Sequence, residues 1–143
     1  FRSMVNGESA VYPGTDLSYS TFTDVDLRTT LFVMWSESQP VNTDVLDWNR
    51  NLVSVKLEYV KFDNVDLRDS NLSLIRLNHS QIIDSDLTNV SFKNSDLSFS
   101  SIINSDLSGA NLEGANLEGV TLDNAILTGA NLKCINHPIC VNY

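Results

Sequence analysis

The chain has 143 residues, enough for one domain, with 42% hydrophobic and 19% charged residues, an ordinary soluble mixture. A net charge of −9 excludes ordinary phosphate-backbone binding, which needs a basic surface, and leaves basic protein partners and nucleic-acid mimicry open. No apolar run approaches the roughly 18 residues of a membrane span.

Residues 1–14 carry no repeat and read as an N-terminal cap. From Leu17 a large apolar residue returns every fifth position: Leu17, Phe22, Leu27, Phe32. The pattern then breaks over 33–51, "VMWSESQPVNTDVLDWNRN", and resumes at Leu52. From there it runs without a miss to Leu132, always Leu, Ile or Phe. Two positions before each stands a small or β-branched residue, as in Val60, Ser80, Ser100 and Ala115. Two positions after stands, often, Asn or Gly, as in Asn64, Asn89, Gly109 and Gly119. Residues 133–143, "KCINHPICVNY", leave the pattern and read as a C-terminal cap.

A period of five fits neither regular element. On a helix each fifth residue turns by roughly 140°, so the leucines would spiral. On a flat strand an odd period would alternate faces. The backbone must therefore turn once per unit. The small residue and the leucine, two apart, face inward on a short extended piece. The Asn or Gly that follows tolerates the positive φ of a tight turn. The product is a coil of very short strands, a solenoid.

The units "GANLEGANLEG" and "NSDLSGANL" resemble the A(D/N)LXX motif of the pentapeptide-repeat family. The resemblance covers 15–132, with one gap. It implies an all-β fold: a right-handed quadrilateral β-helix of about six coils, interrupted by one loop excursion. Four units make one square coil, so residue n lies over n+20, about 4.8 Å away. Folding the chain at twenty makes the inward columns uniform, for example Leu57–Leu77–Leu97–Leu117 and Leu67–Leu87–Leu107–Leu127. Phe32 and Leu52 stand twenty apart, so the phase survives the break. Positions 37, 42 and 47 within it are Glu, Asn and Asp, which cannot line this core unpaired. The segment 33–51 therefore reads as an excursion that leaves the coil and returns to the same face. Trp35 and Trp48 would pack outside the coil, with "TDVLDW" as a possible helical turn. Loops of this length are either tolerated insertions or functional elements.

The outward columns hold the candidate sites. Tyr19, Tyr59, His79 and Phe99 form one column, with Ile83 and Ile103 beside it across a corner. An exposed apolar strip is informative. It is covered by the 33–51 loop or the N-terminal segment, or it is a partner surface. With Trp35 and Trp48 these residues are the candidate protein-binding set. Asp26, Asp66, Asp86 and Asp106 form an acidic column. It supports its turns by bonding backbone N–H groups, or it imitates DNA phosphates. The family resemblance implies the second option, since some members bind DNA gyrase that way, but Arg28 and Arg68 dilute the stripe. Asp24, Asn64, Asp84, Asn104 and Asn124 form an amide and carboxylate ladder along another corner.

Cys134 and Cys140 flank Pro138 in the C-terminal cap. They form a disulfide that pins the last turn and implies an oxidising compartment. Alternatively they join His137 as three zinc ligands lacking a fourth, or they remain reduced. No nucleophile–base arrangement, phosphate loop or H-E-x-x-H motif stands out from the repeat, so neither an enzyme nor a cofactor is expected. The expected role is a non-enzymatic scaffold or protein-interaction module with an unknown protein partner, monomeric or weakly homodimeric. The family resemblance suggests export to a periplasm or thylakoid lumen, with a cytoplasmic location as the alternative. Two other roles stay open: an acidic DNA mimic binding gyrase, and a structural domain of a larger protein.

Overall fold

The computed structural model describes residues 2–5, 8–11, 17–24, 31–32 and 57–141. From Leu57 onward every coil has four sides, and each side carries an inward large residue. The fold is the all-β right-handed quadrilateral β-helix that the repeat implies. No helix occurs among the described residues. One side of each coil is regular enough to form strands: β3 (Thr21–Thr23), β5 (Lys61–Asp63), β6 (Gln81–Ile83) and β7 (Ser101–Ile103). These stack as a parallel four-stranded sheet in the order β3-β5-β6-β7. The other sides join through single parallel bridges, such as Asp66 to Asp86, Asn71 to Ser91 and Arg76 to Asp96.

The register explains why the period is enforced. Phe62 pairs with Ile82 and Ile82 with Ile102, each twenty residues on. Between these strands and bridges the backbone is bonded coil to coil: Leu87 N–H donates to Asp106 O at 2.7 Å and Asp86 N–H to Val65 O at 3.0 Å. An insertion of one residue would expel an inward leucine, so register and core sustain each other. Leu57, Leu67, Leu77, Leu87, Leu97 and Leu107 are all fully buried in one continuous core. Burying each such side chain contributes about 1.5–3 kcal/mol before ordering entropy is subtracted.

Two places depart from the twenty-residue step. Phe22 pairs directly with Phe62, forty residues on, so the coil holding 17–24 stacks on the coil holding 57–64 without an intervening rung. The segment 33–51, with Trp35 and Trp48, lies outside the described residues. At the other end Asn116 pairs with Ile135, nineteen residues on, where the repeat stops. Beyond that rung Leu122, Leu127 and Leu132 are only half-buried, because no further coil covers them. Near the N-terminus β1 (Arg2–Val5) and β2 (Glu8–Val11) form an antiparallel hairpin, and β2 pairs in parallel with β4 (Leu31–Phe32).

The inward serines show how the small column tolerates a hydroxyl. In an alanine unit, Ala110 N–H donates to Leu107 O three residues back. At Ser80 the N–H instead donates to Ser100 Oγ at 3.0 Å, and Ser100 Oγ donates to Leu77 O at 2.7 Å. The hydroxyl of the next coil is thus inserted into the turn's own hydrogen bond. Ser100→Ala should therefore cost little, on the order of 1 kcal/mol or less, because Ser80 N–H can return to Leu77 O. Urea denaturation checks this; a loss of about 3 kcal/mol would show that the amide is stranded.

Candidate functional site

The face built on β3, β5, β6 and β7 carries most of the candidates. Each ring of the aromatic column comes two residues after an inward leucine: Leu17, Leu57, Leu77 and Leu97. That position is the coil corner, and there the backbone is left-handed, with φ of 63° at Tyr19 and 58° at Tyr59, His79 and Phe99. Bulky residues rarely adopt this conformation, and it costs each about 1–2 kcal/mol. Asn and Gly occupy most other corners, so the fold demands the left-handed backbone there and does not demand rings on it.

The rings stack along the solenoid axis. Tyr19 and Tyr59 lie 5.0 Å apart at 1°, Tyr59 and His79 4.9 Å at 6°, and His79 and Phe99 5.3 Å at 13°. The spacing is that of adjacent β-strands, which is what stacked corners impose. All four rings are exposed, Tyr19 by 77%, Phe99 by 52% and Tyr59 by 47%. The column ends at Gly119, where a Cβ would come 2.6 Å from Phe99 Cδ1. Gly119, at φ +66°, thus leaves room for the last ring as well as making its own turn.

Ile83 and Ile103 share this face but are not adjacent to the rings across a corner, as the sequence reading placed them. They sit at the far ends of β6 and β7, half-exposed. Strand alternation puts a polar column, Lys61–Gln81–Ser101, between them and the rings. The far corner is the ladder Asp24–Asn64–Asp84–Asn104–Asn124. There Asn64 Nδ2 donates to Asp24 Oδ1 at 2.7 Å, Asn104 Nδ2 to Asp84 Oδ1 at 3.1 Å and Asn124 Nδ2 to Asn104 Oδ1 at 3.0 Å. The result is a flat sheet face bounded by a ring ridge and an amide–carboxylate ridge.

The acidic column follows the bridges Asp66–Asp86–Asp106 and then ends in Ile126; Asp26 lies outside the described residues. Arg68 forks onto Asp66, with Nη2 to Oδ2 at 2.7 Å, and reaches Asp86 Oδ2 at 3.6 Å. Asp86 Oδ1 accepts from the Thr88 hydroxyl at 2.6 Å and the Thr88 N–H at 3.0 Å, and Asp106 Oδ1 accepts the same pair from Ser108. Each carboxylate therefore holds its own turn. The Ser108 hydroxyl, and then its N–H, hold the Asp106 carboxyl below the usual carboxylate range against a smaller opposing effect of burial. A depressed folded pKa means that Asp106 stabilises the fold above the unfolded value of about 3.9 and loses that contribution as pH falls through the folded value. Ser108→Ala should move the Asp106 titration up toward the ordinary range. Carboxyl NMR checks this; an unmoved midpoint would show that the hydroxyl bond is not its cause.

Cys134 and Cys140 are joined by a disulfide with Cα atoms 5.0 Å apart, so no thiol is left for zinc. His137, inside the loop, donates from Nε2 to Val120 O at 3.1 Å and accepts from Ile139 N–H through Nδ1 at 3.2 Å. This tautomer follows from the Ile139 amide, which can only donate. The imidazole takes the place that the next coil's N–H would fill. No group of His, Cys, Asp or Glu among the described residues could hold a metal ion.

One residue escaped the sequence reading. Leu74 occupies a left-handed corner, with φ of 60°, yet is 4% exposed, beside the equally buried Ser73. The signal was present: stepping by five from Asn64 places a leucine where the repeat usually has Asn, Asp or Gly.

A family model described as "Pentapeptide repeat region" matches residues 55–132. Among solved structures, HetL, a pentapeptide repeat protein from Nostoc sp. strain PCC 7120 involved in heterocyst differentiation regulation, is 25% identical. The match covers 88% of this chain and 54% of HetL, with a TM-score of 0.57. The chain thus spans about half the length of that relative. A pentapeptide repeat protein from the Arabidopsis thaliana thylakoid lumen is 16% identical over 90% of this chain and 70% of its own, with a TM-score of 0.45. QnrB1, a plasmid-mediated fluoroquinolone resistance protein, is 17% identical over 85% and 66%, with a TM-score of 0.36. No curated protein sequence matches the chain.

Proposed function

The chain belongs to the pentapeptide-repeat family, and from that premise we propose that it is a non-enzymatic protein-interaction module whose contact surface is the face of β3, β5, β6 and β7. The observation that carries this reading is the exposed ladder Tyr19–Tyr59–His79–Phe99. Its rings add nothing to the buried core, and they hold strained corners that Asn or Gly would fill at less cost. Aromatic residues enriched on a surface mark protein contacts. The disulfide supports placement in an oxidising compartment. The acidic column is a weaker basis for function, because Arg68, Thr88 and Ser108 already engage its carboxylates.

The test is affinity capture from soluble and exported fractions of the native host, comparing wild type with a Tyr59→Ser/Phe99→Ser double variant. A specific partner should be captured by the wild type and lost, by about tenfold or more in affinity, with a variant that still folds. Equal capture by both proteins would remove the ladder from the contact surface. Gly119→Ala offers an independent perturbation, because its methyl group displaces Phe99 without deleting a ring.

A further inference from the structure

We infer that this face takes an extended, basic segment of a partner protein that also carries aromatic side chains; the inference rests on the interaction reading above. Three observations fix the chemistry. First, the rings stack face on face along the axis, so along most of the ladder their edges point outward. Ring edges carry the positive end of the aromatic quadrupole and favour the faces of other aromatic rings, in edge-to-face geometry. Second, the charge around the ladder is one-sided. Asp24, Asp63, Asp84 and Asp123 lie on the face or its far corner, and Glu58 and Glu118 lie beside the ring corner. Lys61 is the cation among the described residues of this face, and it is engaged with Asp63 at 3.3 Å. The cations of neighbouring columns are likewise engaged, Arg76 with Glu58 at 4.0 Å and Arg68 with Asp66 and Asp86. A partner must therefore bring the positive charge. Third, the face is small. Four rungs by one side of the coil offer roughly 300 Å², well below the roughly 800 Å² per partner of a stable globular interface. That area suits a peptide segment and is too little for a stable second copy of this chain, which would also repeat the negative charge.

The experiment is selection of a random twelve-residue peptide library on the immobilised, disulfide-intact protein, with counter-selection on Tyr59→Ala/Phe99→Ala. Selected peptides are then mapped by chemical-shift perturbation on the wild type, so the outcome does not depend on the variant's folding. The expected result is enrichment of peptides that combine Lys or Arg with Trp, Tyr or Phe. Their shifts should cluster on Tyr59, His79, Gln81 and Phe99, and their affinity should fall at least tenfold in the variant and weaken with added salt. Peptides that map to the face but are neutral or acidic would overturn this inference and leave the interaction reading intact. Selection that yields no peptide mapping to the face would overturn both.

Discussion

Phe62→Ala will remove about 3–5 kcal/mol of stability, and the loss will be felt first at the N-terminal coil. Phe62 is fully buried at the centre of β5, its ring stacked on Phe22 at 5.2 Å on one side and its backbone paired with Ile82 on the other. Deleting the ring leaves a cavity between rungs that hydrogen bonds hold at fixed spacing, so the site cannot collapse to fill it. Among the described residues, the coil of 17–24 is tied to this rung. Its ties include Tyr19 N–H to Glu58 O, Lys61 N–H to Ser20 O, Asp24 N–H to Asp63 O, Asn64 Nδ2 to Asp24 Oδ1, and the two ring stacks. In a solenoid each rung answers to its neighbours, and damage at one rung spreads outward from it. Hydrogen exchange on Phe62→Ala should show Lys61 N–H losing protection well before Leu107 N–H, alongside a lowered urea midpoint. Even loss along the whole chain, or a midpoint shift equivalent to less than about 1 kcal/mol, would show that Phe22 and Phe62 do not bind the coils together.

The fold was legible because every rung obeys the same rule. Leu57 to Leu132 at five-residue intervals require a backbone that turns once per unit, and the resemblance to the pentapeptide-repeat family implies the twenty-residue step observed from Phe62 to Ile82 to Ile102. Phe22 pairs directly with Phe62, forty residues on, while the segment 33–51 lies outside the described residues. The candidate site was legible as a set of columns and less so as a surface. The twenty-residue coil that the family resemblance implies tells which residues stack, and with it the ring ladder. It does not tell how wide a face is, which is why Ile83 and Ile103 were placed beside the rings when the Lys61–Gln81–Ser101 column stands between. Nor does a pattern of residue types give backbone strain. Asn and Gly announce a left-handed corner, whereas Tyr59, His79, Phe99 and Leu74 adopt one without a local preference for it. Those four corners are set by the neighbours above and below.

Breaking the Cys134–Cys140 bond will loosen the C-terminal coil by about 2 kcal/mol and leave the ring ladder intact. The bond closes a short loop, and in the chain-entropy account a short loop contributes less than a long one. Cys134 is nevertheless fully buried and packs on the core beneath a rung that has no coil above it. The loop's other ties include Ile135 N–H to Ala115 O at 2.9 Å, Asn136 Nδ2 to Asn116 Oδ1 at 2.9 Å, His137 Nε2 to Val120 O at 3.1 Å and Val141 N–H to Leu132 O at 2.8 Å. Without the bond, the loop must hold these with a freer chain, over Leu122, Leu127 and Leu132 that are already half-buried. Hydrogen exchange on Cys134→Ser/Cys140→Ser, or on wild type treated with a phosphine reductant, should show Ile126, Asn131 and Ile135 N–H exchanging roughly 30-fold faster, the equivalent of about 2 kcal/mol. Leu77 and Leu87 N–H, deeper in the stack, should not change. Nearest-neighbour coupling dictates this gradient, because each coil further in regains a full rung on both sides. Acceleration of Leu77 and Leu87 by the same factor would mean that the coil unfolds as one unit and that the disulfide fastens the whole stack. No acceleration at Ile135 would mean that the loop's hydrogen bonds hold it without the disulfide.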